Sequence, residues 1–117
     1  MDQGLTRHER IRRRPEFLKV QQRGTRTRGR HLTLFTLPNG LKQNRLGIIA
    51  TRKLGGATRR NRAKRLMREL FRHEKGPAGA AGFDIVALLR PGFPDIAFST
   101  LEADFQGVLH RYVDPRR

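Results

Sequence analysis

Apolar residues recur along the chain with two periods, which predicts strands in its middle and helices around them. His31 to Leu37 alternates in polarity and is rich in Thr, Leu and Phe, as a half-buried strand is. Phe83 to Leu89 is nearly continuously apolar, which is typical of a strand buried on both faces. A last helix is predicted by apolar residues at helical spacing: Leu101, Phe105, Val108, Leu109 and Tyr112.

Proline, glycine and capping residues mark where the other helices begin and end. Pro15 suits the first turn of a helix and Gly24 suits its end, which predicts a helix over residues 15–23. Gly55-Gly56 interrupts the chain ahead of a long helix over about residues 58–74. Ser99 and Glu102 form a capping box, so the last helix should open there and run to about residue 112.

The remaining segments complete one small domain. Pro38-Asn39-Gly40 supplies a turn before a second strand over residues 45–51, and a short extended piece near residues 25–30 precedes the first strand. Residues 76–82 form a flexible connector. The expected order is α-β-β-(β)-α-β-α, a sheet with helices packed against it. We expect residues 15–113 to form the domain, between a flexible basic arm (1–14) and a tail (114–117).

Composition narrows the class of protein. The chain has 117 residues, 26 Lys and Arg against 10 Asp and Glu, and a net charge of +16. It has no cysteine, which excludes disulfides, thiolate metal sites and a cysteine nucleophile. The longest apolar run, residues 85–89, is far short of the ~20 residues that cross a bilayer. No signal-like apolar stretch opens the chain, so we expect a cytoplasmic protein.

The charge is unevenly distributed, which indicates a binding face. Residues 7–30 hold ten Lys and Arg side chains, and residues 52–72 hold nine. In residues 83–105, by contrast, most of the charged side chains are acidic. Nucleic acid is the commonest partner of such a surface, and an anionic membrane is the second. The chain has no Trp, and its apolar stripes are needed for the core, so nucleic acid is favoured. The basic arm either orders on RNA or only adds solubility.

The long helix carries the strongest local signal. One side is apolar, with Ala63, Leu66, Met67, Leu70 and Phe71 at helical spacing. The opposite side is cationic, and its like charges four residues apart repel by roughly 0.2–0.5 kcal/mol per pair. Only Glu69 offsets these charges, so we favour a binding face over an ordinary charged surface exposed to solvent. Arginine donors suit phosphate oxygens, so this side predicts an RNA contact.

Four segments in order carry a family resemblance. Residues 60–69, Arg-Asn-Arg-Ala-Lys-Arg-Leu-Met-Arg-Glu, resemble the RNR signature of the bacterial ribonuclease P protein component. Residues 51–58 are similar to the family's Ser-Lys-Lys-x-Gly-x-Ala stretch, and residues 17–20 with Arg23-Gly24 to its first helix. The likeness continues through residues 83–86 to the last helix, over about residues 8–112.

The resemblance implies a fold and a role. The fold would be an α/β (α+β) two-layer sandwich of order α-β-β-β-α-β-α, ribosomal-protein-like, with the basic helix in a left-handed βαβ crossover. The protein would be the non-catalytic subunit of an endoribonuclease whose RNA removes the 5′ leader of precursor tRNA. Its partners would be ribonuclease P RNA and precursor tRNA. Implied contacts to the catalytic RNA are Arg52, Lys53, Arg59, Arg60, Asn61, Arg62, Lys64, Arg65, Arg68 and Arg72.

The family also holds the single-stranded leader in a cleft between the first helix and the sheet. Bases stack on aromatic rings with little sequence preference, which suits varied leaders. Phe17 and Phe35 match such rings, although both are open to interpretation as ordinary core residues, and Gln21 stands where a second aromatic is often found. The implied cleft residues are Phe17, Lys19, Gln21, Thr33, Phe35, Arg45, Ile49 and Thr51.

No catalytic constellation is evident in the polypeptide. The four histidines are scattered, and no pair has metal-ligand spacing. The resemblance implies that magnesium would be held mainly by RNA phosphates, and we expect no protein-only metal site and no obligate protein partner. A ribosomal or general RNA-binding protein is the alternative. A stand-alone nuclease would need clustered carboxylates or a histidine pair on the basic face.

Overall fold

The computed structural model describes residues 9–73 and 82–113. The predicted order of elements is confirmed. The elements are α1 (Arg14–Arg23), β1 (Thr25–Arg28), β2 (Leu32–Pro38), β3 (Arg45–Ile49), α2 (Ala57–His73), β4 (Phe83–Leu89) and α3 (Phe98–Val113), with short 3₁₀ turns at Arg52–Leu54 and Phe93–Asp95. No helix in the described ranges is long and apolar enough to span a membrane.

The four strands form one sheet in the order β1-β2-β4-β3. β2 pairs antiparallel with both β1 and β4, whereas β3 pairs parallel with β4. The near-continuous apolar run of β4 makes it a central strand, because a strand covered on both faces needs apolar side chains on both. β2 and β3 are consecutive in the chain but lie on either side of β4, and α2 forms the crossover between β3 and β4.

Helices α2 and α3 cover one face of the sheet and enclose the main core. The predicted apolar side of α2 is confirmed: Ala63, Met67 and Leu70 are fully buried there. They pack with inward residues of β2, β4 and α3 in a single cluster. The other predicted stripe, on α3, is buried as well at Leu101, Phe105, Val108 and Leu109.

Helix α1 lies across the opposite face of the sheet, over a smaller core. Its Val20 is 1% exposed and packs on Val86 of β4. Phe17, Phe35 and other partly buried apolar residues surround that contact. The sheet is thus covered by two helices on one face and by one short helix on the other, which leaves part of the second face open.

The packed body begins earlier than the predicted boundary after residue 14. Ile11 is 4% exposed, and its backbone N–H donates to the Leu46 carbonyl at 2.9 Å. Residue 10 forms a parallel bridge with Leu46, so this stretch extends the sheet beside β3. A buried apolar residue inside a basic run gives no periodic signal, which is why the sequence placed it in the arm. Residues 1–8, 74–81 and 114–117, including most of the predicted connector, lie outside the described residues.

Two predicted element ends were wrong. β3 ends at Ile49 because the Thr51 hydroxyl accepts from the Lys53 N–H at 3.3 Å and caps the 3₁₀ turn. The last helix begins at Phe98, so Ser99 lies inside its first turn and is not the cap. Glu102 instead lies 3.5 Å from His73 of α2, a contact between helices that local spacing does not reveal.

Candidate nucleic-acid interface

The outer side of α2 presents a cationic surface, which we call the α2 ridge. Arg65 and Asn61 are exposed, and the other members are partly exposed. The opposite side of the helix is held in the main core, so packing fixes which way these side chains face. The ridge comprises Arg60, Asn61, Lys64, Arg65, Arg68 and Arg72. The structure therefore brings together six of the residues that were predicted to contact the catalytic RNA.

Two other predicted members are turned toward the protein. Arg59 makes a two-pronged ion pair with Asp95, with nitrogen–oxygen distances of 2.8 and 3.0 Å, and its Nε donates to the Leu54 carbonyl at 2.7 Å. The paired guanidinium lowers the pKa of Asp95, chiefly through these hydrogen bonds. Arg62 Nε donates to the Pro94 carbonyl at 3.1 Å. Both arginines thus tie the start of α2 to the turn after β4.

A glycine makes this arrangement of Arg59 achievable. Gly55 has a φ of 124°, which L side chains rarely adopt, and a Cβ there would lie 2.7 Å from Arg59 Cδ. The chain can therefore turn sharply before α2 while the arginine folds back over it. The remaining predicted members, Arg52 and Lys53, are exposed on the 3₁₀ turn ahead of the helix.

The open part of the second sheet face forms a cleft of about 500 Å³. Strand register explains its position: Thr33 pairs with Arg28 on one side and with Leu88 on the other, and Leu88 pairs with Ile49. Helix α1 covers the neighbouring positions on this face of the sheet, so these paired residues stay uncovered and form the floor of the concavity. We call the concavity the sheet-face cleft; its lining includes Arg26, Arg28, Thr33, Thr51, Lys53, Leu88, Arg90 and Pro91.

The sequence analysis missed three cations of the sheet-face cleft. Arg26 and Arg28 are exposed on edge strand β1, and Arg90 follows β4. Arg26 pairs with Phe35 and Arg28 with Thr33, so both arginines share the face of the cleft. The alternation Thr-Arg-Thr-Arg at residues 25–28 was the available signal, because period two places every second residue on one face. Lys53 also lines this cleft, although it was assigned to the catalytic-RNA contacts.

Phe17 lies at the outer edge of β3. A Cβ on Gly47 would lie 2.7 Å from Cε2 of its ring, so the ring rests directly on that glycine. Phe17, Arg10, Lys64 and Arg68 line a small hollow of about 170 Å³, which we call the edge hollow. The hollow joins the N-terminal stretch and α1 to the α2 ridge around the edge of the sheet.

Arg45 does not line the sheet-face cleft; it lies between the start of α1 and the sheet. Its guanidinium makes two hydrogen bonds to the Asp84 carboxylate, at 2.7 and 2.8 Å, and lies 3.5 Å from Glu16 of α1. These partners raise the pKa of Arg45, with the Asp84 hydrogen bonds the largest cause. Asn39 also donates to Asp84, at 2.9 Å. Arg45 therefore anchors the start of α1 to the sheet.

The remaining predicted cleft residues lie around α1 and the strand ends. Lys19 is exposed on α1, and Gln21 is partly buried on the same helix. Phe35 and Ile49 are partly buried and pack against the Val20–Val86 contact. Phe17 and Phe35 are thus members of the smaller core as well as candidates for stacking. Among the described residues, no three His, Asp or Glu side chains converge as a metal site would require.

Comparison with known proteins now decides the family. The Ribonuclease P family model matches residues 5–113. The chain belongs to the Ribonuclease P family.

Relatives and solved structures agree with this assignment to the Ribonuclease P family. The ribonuclease P protein component of Thermotoga maritima is 38% identical over 115 residues, which cover 95% of this chain and 97% of the relative. The solved structure of the Thermotoga maritima protein superposes with a TM-score of 0.78 at 36% identity, over 88% of this chain and 96% of that one. The solved structure of the Staphylococcus aureus RNase P protein superposes with a TM-score of 0.76 at 28% identity, over 86% of this chain and 92% of that one.

Proposed function

We infer that this chain is the protein subunit of ribonuclease P and assists an RNA that removes the 5′ leader of precursor tRNA. The observation that carries the proposal is the placement of two cationic surfaces on opposite faces of one sheet. The α2 ridge is convex, whereas the sheet-face cleft is concave and bordered by Arg26 and Arg28. A protein with this arrangement can hold two RNA segments at once.

The α2 ridge would bind the catalytic RNA. Guanidinium groups donate to phosphate oxygens in a planar fork, and Asn61 can donate to and accept from sugars and base edges. Because Arg59 and Arg62 are tied to the turn after β4, the main contacts would come from Lys64, Arg65 and Arg68.

The sheet-face cleft and the edge hollow would guide the leader. Thr51 at the cleft follows the end of β3, and Phe17 at the hollow rests on Gly47 in the middle of that strand, so Ile49 lies between them. A single-stranded RNA leader that lies along β3 would contact hydroxyl groups, an apolar floor and one aromatic ring. Such a surface grips bases without reading their sequence, which suits leaders of varied sequence.

Hydrolysis would be performed by the RNA, with magnesium held mainly by RNA phosphates. The chemistry of the protein's own carboxylates supports this, because the aspartates of β4, of the turn after it and of α3 already have partners. Asp84 is bonded to Arg45, Asp95 to Arg59, and Asp104 accepts from the backbone N–H groups of residues 30 and 31 at 3.0 and 2.9 Å. We place the complex in the cytoplasm, where precursor tRNA is made in bacteria.

Reconstitution tests this function. A bacterial ribonuclease P RNA and a precursor tRNA are incubated at low magnesium with and without the protein. We expect accurate 5′ cleavage only when the protein is present, since its cations offset repulsion between the two RNAs, and no cleavage by the protein alone. Tight RNA binding without stimulation would favour a general or ribosomal RNA-binding protein instead. Cleavage by the protein alone would contradict the proposal.

A further inference from the structure

Edge strand β1 carries two arginines that the family resemblance did not imply as RNA contacts. Arg26 and Arg28 are exposed, and both border the sheet-face cleft. β1 lies at the opposite edge of the sheet from β3, because the strand order is β1-β2-β4-β3. The cleft therefore reaches across the whole sheet, from Thr51 and Lys53 after β3 to these two arginines.

The backbone of β1 adds hydrogen-bonding groups at the same two positions. The Gly29 N–H donates to the Leu32 carbonyl at 2.7 Å, which closes the turn between β1 and β2. In an antiparallel pair, residues that bond the partner strand alternate with residues whose N–H and C=O groups point away from it. Arg28 and Arg26 lie one and three positions before Gly29, so their backbone groups point outward from the edge. Each residue thus presents a guanidinium on the cleft face and an N–H at the edge, and both donors suit phosphate oxygens.

Helix α3 fixes the hairpin that carries β1. The Asp104 carboxylate of α3 accepts from the backbone N–H groups of residues 30 and 31, at 3.0 and 2.9 Å. A Cβ on Gly29 would lie 2.6 Å from Val108 Cγ2, so α3 packs directly against the end of the strand. A fixed strand presents its donors at little entropic cost on binding.

The position of the α2 ridge gives a strand bound in this cleft a direction. The edge hollow joins the ridge to the β3 edge through Lys64 and Arg68. Since the catalytic RNA is assigned to the ridge, the leader nucleotides next to the cleavage site would lie at the β3 edge. Nucleotides further 5′ would lie toward β1. The two edge strands are three strand spacings apart, roughly 14 Å, so only a leader long enough to cross the sheet reaches β1.

We propose that the 5′-distal nucleotides of the precursor tRNA leader cross the sheet-face cleft and bind the β1 edge, with their phosphates on Arg26 and Arg28. The floor between the two edges includes Leu88 and Thr33, which suit unpaired bases, and cations border it on both sides. The proposal rests on the proposed function, because that function assigns the leader to this cleft.

The double variant Arg26→Gln with Arg28→Gln tests the proposal. The control, Arg23→Gln with Arg30→Gln, removes the same charge from exposed positions on either side of β1 that do not line the cleft. The assembled complex is titrated, over a range of salt, with precursors whose leaders have about two or about ten nucleotides. With the long leader, the test variant should bind about tenfold more weakly, and the slope of log affinity against log salt should shrink by roughly 1.4, for two phosphate contacts on a single strand. With the short leader, its affinity should be unchanged.

Three results would overturn the proposal. Equal weakening with short and long leaders would place the two arginines on another part of the precursor. Equal losses in the test and control variants would show that the arginines act only through net charge. Weaker binding of ribonuclease P RNA, with precursor affinity unchanged, would assign the β1 edge to the catalytic RNA.

A titration without the catalytic RNA separates this proposal from the proposed function. The full chain is titrated with a single-stranded RNA of about ten nucleotides, and the test variant should bind it several-fold more weakly than the control variant. Failure of the cleavage reconstitution with this difference retained would remove the proposed function and leave β1 as a single-strand contact. Normal cleavage with no difference in either titration would overturn only the present proposal.

A positional test uses the absence of cysteine from the chain. A photoreactive probe is attached through Arg26→Cys or through Lys53→Cys, at opposite ends of the cleft. Within the assembled complex, we expect the probe at position 53 to crosslink leader nucleotides near the cleavage site and the probe at position 26 to crosslink nucleotides further 5′. The reverse order, or crosslinks from position 26 to the catalytic RNA, would contradict the proposed path.

Discussion

At the residue scale, whether a basic side chain is exposed or held in an ion pair depends on whether an acidic side chain lies beside it. Arg65 and Arg59 are six positions apart in one helix, yet Arg65 is exposed on the α2 ridge and Arg59 is paired with Asp95. The family resemblance implied both as RNA contacts, and helical periodicity shows which side of a helix a residue takes but not what faces it. The same limit applies to Arg45, whose partner Asp84 lies 39 residues away in the chain.

Gly47→Ala tests the position of the Phe17 ring. The new Cβ would lie 2.7 and 2.8 Å from two ring carbons, so the ring must move. We expect a loss of about 1 kcal/mol in unfolding free energy and several-fold weaker precursor binding, measured by urea denaturation and by titration. Gly92→Ala is the control, because nothing lies within 4 Å of a Cβ there. Unchanged precursor affinity would show that leader binding does not depend on this ring position.

At the element scale, two ion pairs set how helices sit on the sheet. Arg45 and Asp84 link α1 to β3 and β4 through Glu16, and Arg59 and Asp95 link α2 to the turn after β4. The first pair is largely buried, with side chains 21% and 10% exposed, whereas the second is exposed at 42% and 63%. Removing one partner of a buried ion pair leaves an uncompensated charge away from water, whereas an exposed charge is stabilised by solvent. Breaking the Arg45–Asp84 pair should therefore cost more unfolding free energy than breaking the Arg59–Asp95 pair.

Arg45→Gln should destabilise the fold by about 3 kcal/mol, because it leaves the Asp84 carboxylate buried without its cation. Urea denaturation measures the loss, and Lys19→Gln on exposed α1 should change stability by less than about 0.5 kcal/mol. Adding Asp84→Asn to Arg45→Gln should recover part of the loss. Normal stability of Arg45→Gln with weaker precursor binding would contradict this structural role and support the leader-binding role that the family resemblance implies.

The Arg59–Asp95 pair predicts a pH-dependent difference in melting temperature. The folded-state pKa of Asp95 is lowered from its ordinary value of 3.8, so the pair stabilises the fold above pH 3.8. The contribution is lost as the pH falls through the lowered value. We therefore expect Asp95→Asn to melt a few degrees below the unmodified protein at pH 7 and to approach it in strong acid. A constant difference across the series would contradict this assignment.

At the scale of the whole molecule, the sheet separates the two cationic surfaces that we propose bind RNA. The net charge of +16 is spread over a body with a radius of gyration of 13.3 Å, and acidic partners on β4 and the turn after it neutralise some of the cations beside them. The α2 ridge and the sheet-face cleft remain as cationic faces on opposite sides. If these faces bind RNA as we propose, the affinity should fall strongly as the salt concentration rises.

Separate surfaces predict separable mutations. Arg65→Ala should weaken binding of the catalytic RNA roughly tenfold, about 1.4 kcal/mol, with little effect on the precursor. Phe17→Leu, which keeps an apolar side chain in the core, should weaken precursor binding by loss of stacking worth about 1 kcal/mol or more. Titrations of each RNA measure both, with Arg23→Ala as the control. If the two variants weakened the same interaction, the division into two surfaces would be wrong.

Local patterns and composition determined the elements, the two sides of α2, the buried strand β4 and the cationic character of the surface. These features depend on residues a few positions apart, or on composition, which the sequence shows directly. Only the tertiary structure decided the strand order, the inclusion of Ile11 in the core and the approach of Arg26 and Arg28 to the cleft. It also decided which arginines are neutralised. These outcomes depend on contacts between distant segments, which period and propensity do not specify.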